Sequence, residues 1–167
     1  MNKKFLPGAV LFIIAFVLSN LASLAQVKAQ NNTFYGETAG AHITTGISDS
    51  GFGYGALYDT DTGTGDTACG MFALMQNRSG NYNTAIGHAA LFSNTAGNYN
   101  TASGQESLDS NTTGSYNTAS GWQALYLNTT GDSNTASGVN ALSSNTTGNF
   151  NTASGSQALF SNTTGQW

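Results

Sequence analysis

Residues Asn81–Gly97 read NYNTAIGHAALFSNTAG, and residues Asn98–Gly114 read NYNTASGQESLDSNTTG. The two stretches are copies of one 17-residue unit. Units of this length follow one another without insertion over residues 30–165, and the eight of them begin at Gln30, Ile47, Thr64, Asn81, Asn98, Ser115, Asp132 and Asn149. A fixed period of this kind is typical of solenoid proteins, in which each repeat forms one coil and stacks on its neighbours.

Glycine recurs at two positions of the unit when its first residue is numbered 1. Position 7 is glycine in every unit, as Gly36, Gly53, Gly70, Gly87, Gly104, Gly121, Gly138 and Gly155. Position 17 is also always glycine, as Gly46, Gly63, Gly80, Gly97, Gly114, Gly131, Gly148 and Gly165. Glycine at a fixed phase indicates a positive φ or a close approach of two backbones. The unit therefore predicts a coil with two turns.

Two short segments, N-T-A-S-G and A-L-x-S-N, lie between these glycines. Each has a usual strand length of about five residues, and the one proline of the chain, Pro7, lies outside the repeats. The predicted fold class is all-β, a parallel β-solenoid (β-roll) of eight 17-residue coils. Coils stacked at about 4.8 Å would form a rod about 40 Å long. The composition would also suit a disordered tail, but disorder does not preserve a strict period.

Leucine at position 11 is predicted to form the structural core. It occurs in seven units, as Leu57, Leu74, Leu91, Leu108, Leu125, Leu142 and Leu159. Each buried leucine contributes about 1.5–3 kcal/mol. One leucine per coil is nevertheless a thin core, and chains with thin cores commonly need oligomerisation.

The first segment alternates, so positions 4 and 6 share one face and positions 5 and 7 share the other. Position 5 is alanine in six units, beside the glycine of position 7, and such a face allows another backbone to approach closely. We expect this Ala/Gly face to pack against neighbouring chains. The alternative is a flat two-layer coil whose narrow interior is filled by small residues. Cys69, at position 6, is predicted to be a small core residue.

Asparagine recurs at positions 3 and 14, from Asn83 to Asn151 and from Asn94 to Asn162. Stacked asparagine side chains can donate hydrogen bonds to one another along a solenoid axis, so both columns are predicted to be structural ladders. N-x-[ST] sequences begin at Asn31, Asn77, Asn111, Asn128, Asn145 and Asn162. We interpret them as coincidences of the S-N-T-T-G turn rather than as glycosylation sites.

Catalysis requires a nucleophile with a base, paired carboxylates or a metal cluster. The histidines, His42 and His88, have different phases in the repeat, and no neighbouring coil repeats the acids Asp59 and Asp61. The sequence therefore predicts that the protein is not an enzyme and that it has no catalytic, cofactor-binding or metal site.

Two regular stripes are candidate ligand or interface surfaces. Position 2 provides an aromatic stripe that could stack on sugars or cover an interface: Tyr82, Tyr99, Tyr116 and Phe150. Threonines at positions 15 and 16 suggest an ice-binding array, although such an array requires threonines that alternate along one flat strand face.

The first 29 residues have the layout of a signal peptide: Lys3 and Lys4, an apolar stretch over Ala9–Leu18, and a small-residue cut after Ala29. The alternatives are an uncleaved anchor and a cut after Ala25. Cleavage after Ala29 leaves one positive side chain, Arg78, against eight negative ones, a formal charge of −7. Nucleic-acid binding is thereby excluded, and no membrane contact is expected after cleavage. A single cysteine excludes an intrachain disulfide.

The text N-T-A-[IS]-G-x-x-A-L, as in Asn83–Leu91, resembles the head repeats of trimeric autotransporter adhesins and the repeats of tail-fibre-like secreted bacterial proteins. The resemblance implies a left-handed β-roll, a homotrimer, and a role in attachment or as a surface spike. We therefore expect a secreted or surface-exposed fibrous protein acting in adhesion or as a structural spike. The alternatives are a binding module for an extracellular glycan or ice, and a fragment of a larger surface protein, since residues 166–167 would begin an incomplete ninth repeat.

Overall fold

The computed structural model describes residues 31–166; the predicted signal peptide (1–29), Gln30 and Trp167 lie outside this range. No helix occurs within residues 31–166. Each unit contains one strand of three residues at positions 4–6: β1 (Thr33–Tyr35), β2 (Ser50–Phe52), β3 (Thr67–Cys69), β4 (Thr84–Ile86), β5 (Thr101–Ser103), β6 (Thr118–Ser120), β7 (Thr135–Ser137) and β8 (Thr152–Ser154).

The strands form one parallel sheet in the order β1 to β8. Every pairing joins residues 17 positions apart, as in Thr84 with Thr101 and Ala85 with Ala102. This confirms the all-β parallel solenoid and its 17-residue spacing. The seven pairings correspond to seven turns, and at about 4.8 Å per turn they span about 34 Å.

The second predicted strand, A-L-x-S-N, is wrong: this segment is a turn. The leucines of position 11 have φ between 50° and 53°, and position 9 is left-handed as well, as at Gln123 (φ 53°). An L-residue in the left-handed region costs about 1–2 kcal/mol. Contacts between coils offset that cost in the first six of these leucines, because their N–H groups donate to the next coil, as Leu108 does to the Ala124 carbonyl (3.0 Å).

The interior contains the alanines of position 5 and the leucines of position 11, which form one apolar cluster. The expectation that the Ala/Gly face packs against neighbouring chains is therefore wrong. Ala102 and Ala119 are fully buried within the coil, and the alternative of a narrow interior filled by small residues is the one observed. Six of the seven predicted core leucines are fully buried. Leu159 is 49% exposed because no described coil stacks on it.

Positions 4 and 6 face solvent, since the interior is occupied by position 5. Cys69 is exposed, so its predicted place in the core is wrong. We call the exposed side chains of positions 4 and 6 in β1 to β8 the outer strand face.

The two asparagine columns fill the polar half of the interior. Nδ2 of Asn111 donates to Oδ1 of Asn94 (2.8 Å) and to the Gly114 carbonyl (2.9 Å). Nδ2 of Asn100 donates to the Gly114 carbonyl as well (2.8 Å), and its Oδ1 accepts the N–H of Asn117 (3.0 Å). The predicted ladders are confirmed. The position-3 column connects every described coil to the next, and the position-14 column does so from Asn77 onward. The polar atoms of the interior therefore satisfy one another, except Oδ2 of Asp49 and Oγ1 of Thr60.

The two glycine positions serve different purposes. At position 7 the backbone has a positive φ, 132° at Gly121, and a Cβ there would lie 2.6 Å from the carbonyl oxygen of Gly138 in the next coil. At position 17 φ is not positive, but a Cβ at Gly114 would lie 2.5 Å both from the Gly131 carbonyl oxygen and from Oδ1 of Asn111. Stacking at this distance excludes a side chain at either position wherever another coil follows.

Gly121 and Gly155 allow the two effects at position 7 to be separated. Gly155 has a similar φ of 119°, but a Cβ there would meet no atom within 4 Å. We expect Gly155→Ala to destabilise the protein by about 1–3 kcal/mol through backbone strain alone. Gly121→Ala should cost at least about 2 kcal/mol more, because the methyl group would separate two coils.

Urea unfolding of the two variants, followed by far-UV circular dichroism, measures this difference. Equal losses of unfolding free energy would contradict the argument from close approach.

Candidate binding surfaces

The aromatic residues of position 2 have a left-handed backbone conformation, and their side chains are exposed to solvent. Tyr82, Tyr99 and Tyr116 have φ between 56° and 61°. The N–H of each donates to the preceding coil, as Tyr99 does to the Asn81 carbonyl (3.0 Å). The rings are about half exposed or more, and they stack: centroids are 5.1 Å apart for Tyr82 and Tyr99 and 5.2 Å apart for Tyr99 and Tyr116.

This stacking leaves little ring face for a ligand. The rings of Tyr99 and Tyr116 are inclined by only 7°, and Tyr99 lies between two neighbours, so its faces are turned toward other tyrosines. The side chains present their edges and hydroxyl groups to solvent. Of the two predicted uses of this stripe, the geometry favours covering an interface over stacking on sugars. Phe150 is exposed, but Ser133 separates it from Tyr116.

The threonines of position 15 are not a free hydroxyl array. Oγ1 of Thr95, Thr112 and Thr129 donates to the backbone carbonyl of the same position one coil later, at 2.9–3.0 Å. Those of position 16, such as Thr130, are exposed beside the glycine turn.

The outer strand face is a more regular surface, and it has two halves. In β5 to β8 position 4 is threonine and position 6 is serine, all exposed. In β1 to β4 position 6 is instead Tyr35, Phe52, Cys69 and Ile86, which are exposed as well. The sequence alone does not select this face: alternation places positions 4 and 6 opposite position 5, but it does not say which of the two faces is buried.

A second region was missed at the level of sequence. His42 and Asp59 are 17 residues apart and therefore stack, with Nδ1 of His42 2.6 Å from Oδ1 of Asp59. The imidazole also packs on Tyr58, with ring centroids 4.4 Å apart. Comparing each acid with the residue one period away, rather than with other acids, would have found this pair.

His42 and Asp59 line an open hollow of about 550 Å³ on the first three coils, together with Asp61 and Arg78. Thr44 supplies a hydroxyl group there, but its Oγ1 donates to the Asp61 carbonyl (2.6 Å). A nucleophile aligned with the His42 imidazole is not part of this lining. The lining therefore combines an imidazole, two carboxyl groups and a guanidinium, but it does not form a catalytic triad.

Four of the N-x-[ST] asparagines are interior ladder residues. Asn77, Asn111, Asn128 and Asn145 are fully buried, and the amide of each donates to other ladder groups. A glycan could not be attached to these amides in the folded solenoid. Asn31 is exposed, and Asn162 is partly exposed.

The described part of the chain, residues 31–166, contains no helix of sufficient length and apolarity to cross a membrane. It also contains no group of three or more His, Cys, Asp or Glu side chains placed to hold a metal ion. Comparisons with protein-family models, with curated proteins and with solved structures find no match.

Ser133 is the one interruption between Tyr116 and Phe150, and its φ of 56° matches that of the tyrosines. We expect Ser133→Tyr to join the two parts of the column and to add about 0.5–1.5 kcal/mol per ring pair formed. Urea unfolding should show the gain, and near-UV circular dichroism should show a stronger tyrosine signal. Ser133→Ala, which adds no ring, is the control; a Tyr variant no more stable than this control would refute continuous stacking.

Proposed function

We propose that the chain is a fibrous, secreted or surface-exposed module that acts in adhesion or as a structural spike. Support comes from the fold: a stack of identical coils places equivalent side chains in straight columns, so any contact made by one coil is repeated along the rod. A module of this kind acts through shape and multivalency rather than chemistry. The signal-peptide layout of residues 1–29 supports export.

The observation that carries this proposal is the apolar half of the outer strand face. Tyr35 is 79% exposed, Phe52 43% and Ile86 48%, and together with the exposed Cys69 they form one column over β1 to β4. Tyr54 and Met71 are exposed at position 8, two residues further along their coils. Single exposed apolar side chains are usual, but a contiguous apolar surface marks an interaction site.

The occupant of this surface is, in our proposal, a second and a third copy of the same chain. In a cyclic trimer the same column of each chain can converge on the threefold axis, and this column runs parallel to the rod. The proposal includes the left-handed winding and the homotrimer that the adhesin-head resemblance implies. The alanines are buried inside the coil and cannot contact another chain, whereas the exposed apolar column can.

The oligomeric mass of the exported chain, measured by light scattering after gel filtration, tests this proposal. We expect a trimer for the wild-type protein and a monomer for Phe52→Ser/Ile86→Ser, which introduces the serine that coils 5–8 have at the same position. Intact mass of the same sample tests cleavage after Ala29.

The matched control is Ile47→Ser/Leu127→Ser, since both residues are exposed apolar side chains outside the outer strand face. This variant should remain a trimer. A monomeric wild-type protein would refute the assembly, and loss of the trimer in both variants would show that the column is not its specific interface.

A second candidate function is ice binding, and the serine half of the outer strand face favours it. Position 4 and position 6 hydroxyls alternate along a flat parallel strand there, with Thr118 and Ser120 as one example. Adjacent coils repeat the pair at about 4.8 Å, and the two positions are about 6.6 Å apart along the strand. This is the arrangement that the threonines of positions 15 and 16 do not provide.

Thermal hysteresis and inhibition of ice recrystallisation measure this activity. If the outer strand face binds ice, Thr118→Tyr/Thr135→Tyr should abolish both effects, because two rings would project from the flat array. Thr130→Tyr/Thr147→Tyr, in the same coils but at position 16, should retain them. Absence of any effect in the wild-type protein would exclude this function.

A further inference from the structure

The position-3 column contains asparagine in six coils and aspartate in two, Asp49 and Asp66. In the regular coils each asparagine makes two kinds of interior hydrogen bond. Nδ2 of Asn83 donates to the Gly97 carbonyl (2.9 Å), and Oδ1 of Asn83 accepts the N–H of Asn100 (3.0 Å). The residue must therefore be a donor on one side and an acceptor on the other.

Asp49 fulfils only the acceptor half of this requirement. Its Oδ1 accepts the N–H of Asp66 (2.9 Å), just as an asparagine would. Its Oδ2 is buried and makes no hydrogen bond to the described residues. The same holds for Oγ1 of Thr60, which stands at position 14, where the later coils have asparagine.

The Gly63 carbonyl lacks two amide donors, because Asp49 and Thr60 occupy positions where the later coils have asparagine. In the fourth coil the equivalent carbonyl, that of Gly97, accepts one amide from position 3 and one from position 14. In the second coil these two donors are replaced by Asp49 and Thr60. The point that a Cβ at Gly46 would occupy is 2.8 Å from Oδ2 of Asp49, and the Gly63 carbonyl oxygen is closer still. Two oxygen atoms thus lie within 2.8 Å of one point where the other coils have a donor and an acceptor.

Asp66 is also buried, but both of its carboxylate oxygens accept hydrogen bonds. Its Oδ1 accepts the N–H and Nδ2 of Asn83 (2.7 and 3.1 Å), and its Oδ2 accepts Nδ2 of Asn77 (2.8 Å). Asn77 also donates to the Gly80 carbonyl (3.0 Å), as position 14 does in the later coils, so this carbonyl lacks only the position-3 amide, which Asp66 does not supply.

Both carboxyl groups hold their protons more tightly than usual. Burial raises the pKa of Asp49 to about 6. Burial is also the largest cause for Asp66, whose pKa rises to about 7; the charge of Asp49 raises it further, against the opposing effect of the hydrogen bonds from Asn83 and Asn77. The charged group that faces Asp49 is Asp66, and the one that faces Asp66 is Asp49. The remaining side chains that face this pair, such as Asn32 in the first coil, are neutral. Arg78 lines the outer hollow, beside Asp61.

We propose that Asp49 and Asp66 form a proton-operated lock between the second and third coils. A protonated carboxyl group has the shape and the donor–acceptor pattern of the asparagine amide. The O–H of protonated Asp49 then donates to the Gly63 carbonyl, and its other oxygen keeps the bond to the N–H of Asp66. The ladder is complete when Asp49 carries its proton and is broken when Asp49 is ionised.

The direction of the pH dependence follows from linkage. The folded state binds protons more tightly than the unfolded state, in which both groups have an ordinary pKa of about 3.9. The contribution of these two protons to the free energy of unfolding is therefore fully present below about pH 4. It falls as the pH rises toward 6–7 and is lost above that range. The lock is therefore formed in acid and weakened at neutral and alkaline pH. The first two coils separate from the rest most easily at neutral and alkaline pH.

Urea unfolding of the full chain between pH 4.5 and 8.5 tests the lock. For the wild-type protein, we expect the unfolding equilibrium constant to rise by about two orders of magnitude or more across this range. Asp49→Asn/Asp66→Asn should remove most of this rise and be more stable than the wild type at pH 8.5. Asp132→Asn, at an exposed acid in a later coil, should keep the wild-type profile.

Thr60→Asn provides an independent check, because its amide can donate to the Gly63 carbonyl and to Oδ2 of Asp49. This variant should show a smaller pH dependence than the wild type while both aspartates remain. Hydrogen exchange, corrected for the intrinsic rate at each pH, should place the loss of protection in residues 31–66 of the wild-type protein.

Three outcomes would overturn the proposal. The first is a double Asn variant whose profile is parallel to that of the wild type. The second is a double variant that is less stable than the wild type at pH 8.5, which would mean that the ionised pair is the satisfied form. The third is a gain of stability at pH 8.5 from calcium chloride but not from sodium chloride at equal ionic strength, which would mean that the carboxylates hold a cation.

Discussion

The contact between glycine backbones of successive coils is the constraint on which the other features depend. Gly121 and Gly138 approach so closely that no Cβ fits, and the same is true of Gly114 and Gly131. Coils held at this distance place every residue directly above its counterpart, which lets short polar side chains such as asparagine reach from one coil to the next. The interior can then contain as much amide as hydrocarbon, because the amides pair along the axis.

This arrangement explains how a coil with one leucine can have an ordered interior. Leu108 and Ala102 are fully buried, and on the polar side Asn100 and Asn111 are fully buried as well. A polar group buried without a partner costs more than its hydrogen bond contributes, so the ladder is stable only where every coil supplies the right donor. Asp49 and Thr60 are the places where this rule fails, and they are adjacent in the fold.

Much of this could be derived from the sequence, because the period alone specifies which residues stack. The leucine core, the asparagine ladders and the parallel pairing of β1 to β8 follow from it. The turn at position 11 could not be derived in this way, since leucine rarely adopts a positive φ and the sequence does not show that the next coil accepts its N–H. The orientation of Ala102 depended on what faces it across the coil, and alternation alone does not contain that information. The His42–Asp59 pair escaped notice because its members differ in type.

The uniform register of the ladders has a consequence for how such a chain changes over generations. The interior contacts described above join a residue either to its own coil or to the same or a facing position one coil away, as between Asn94, Asn111 and Gly114. Removing or duplicating one whole coil from Ser115 onward therefore leaves the pattern of neighbours unchanged. The length of the rod can drift in steps of 51 nucleotides, about 4.8 Å each, while an insertion of any other size would disrupt the stack. Duplication within the gene is in this sense a conservative mutation, and a single glycine-to-alanine change is not.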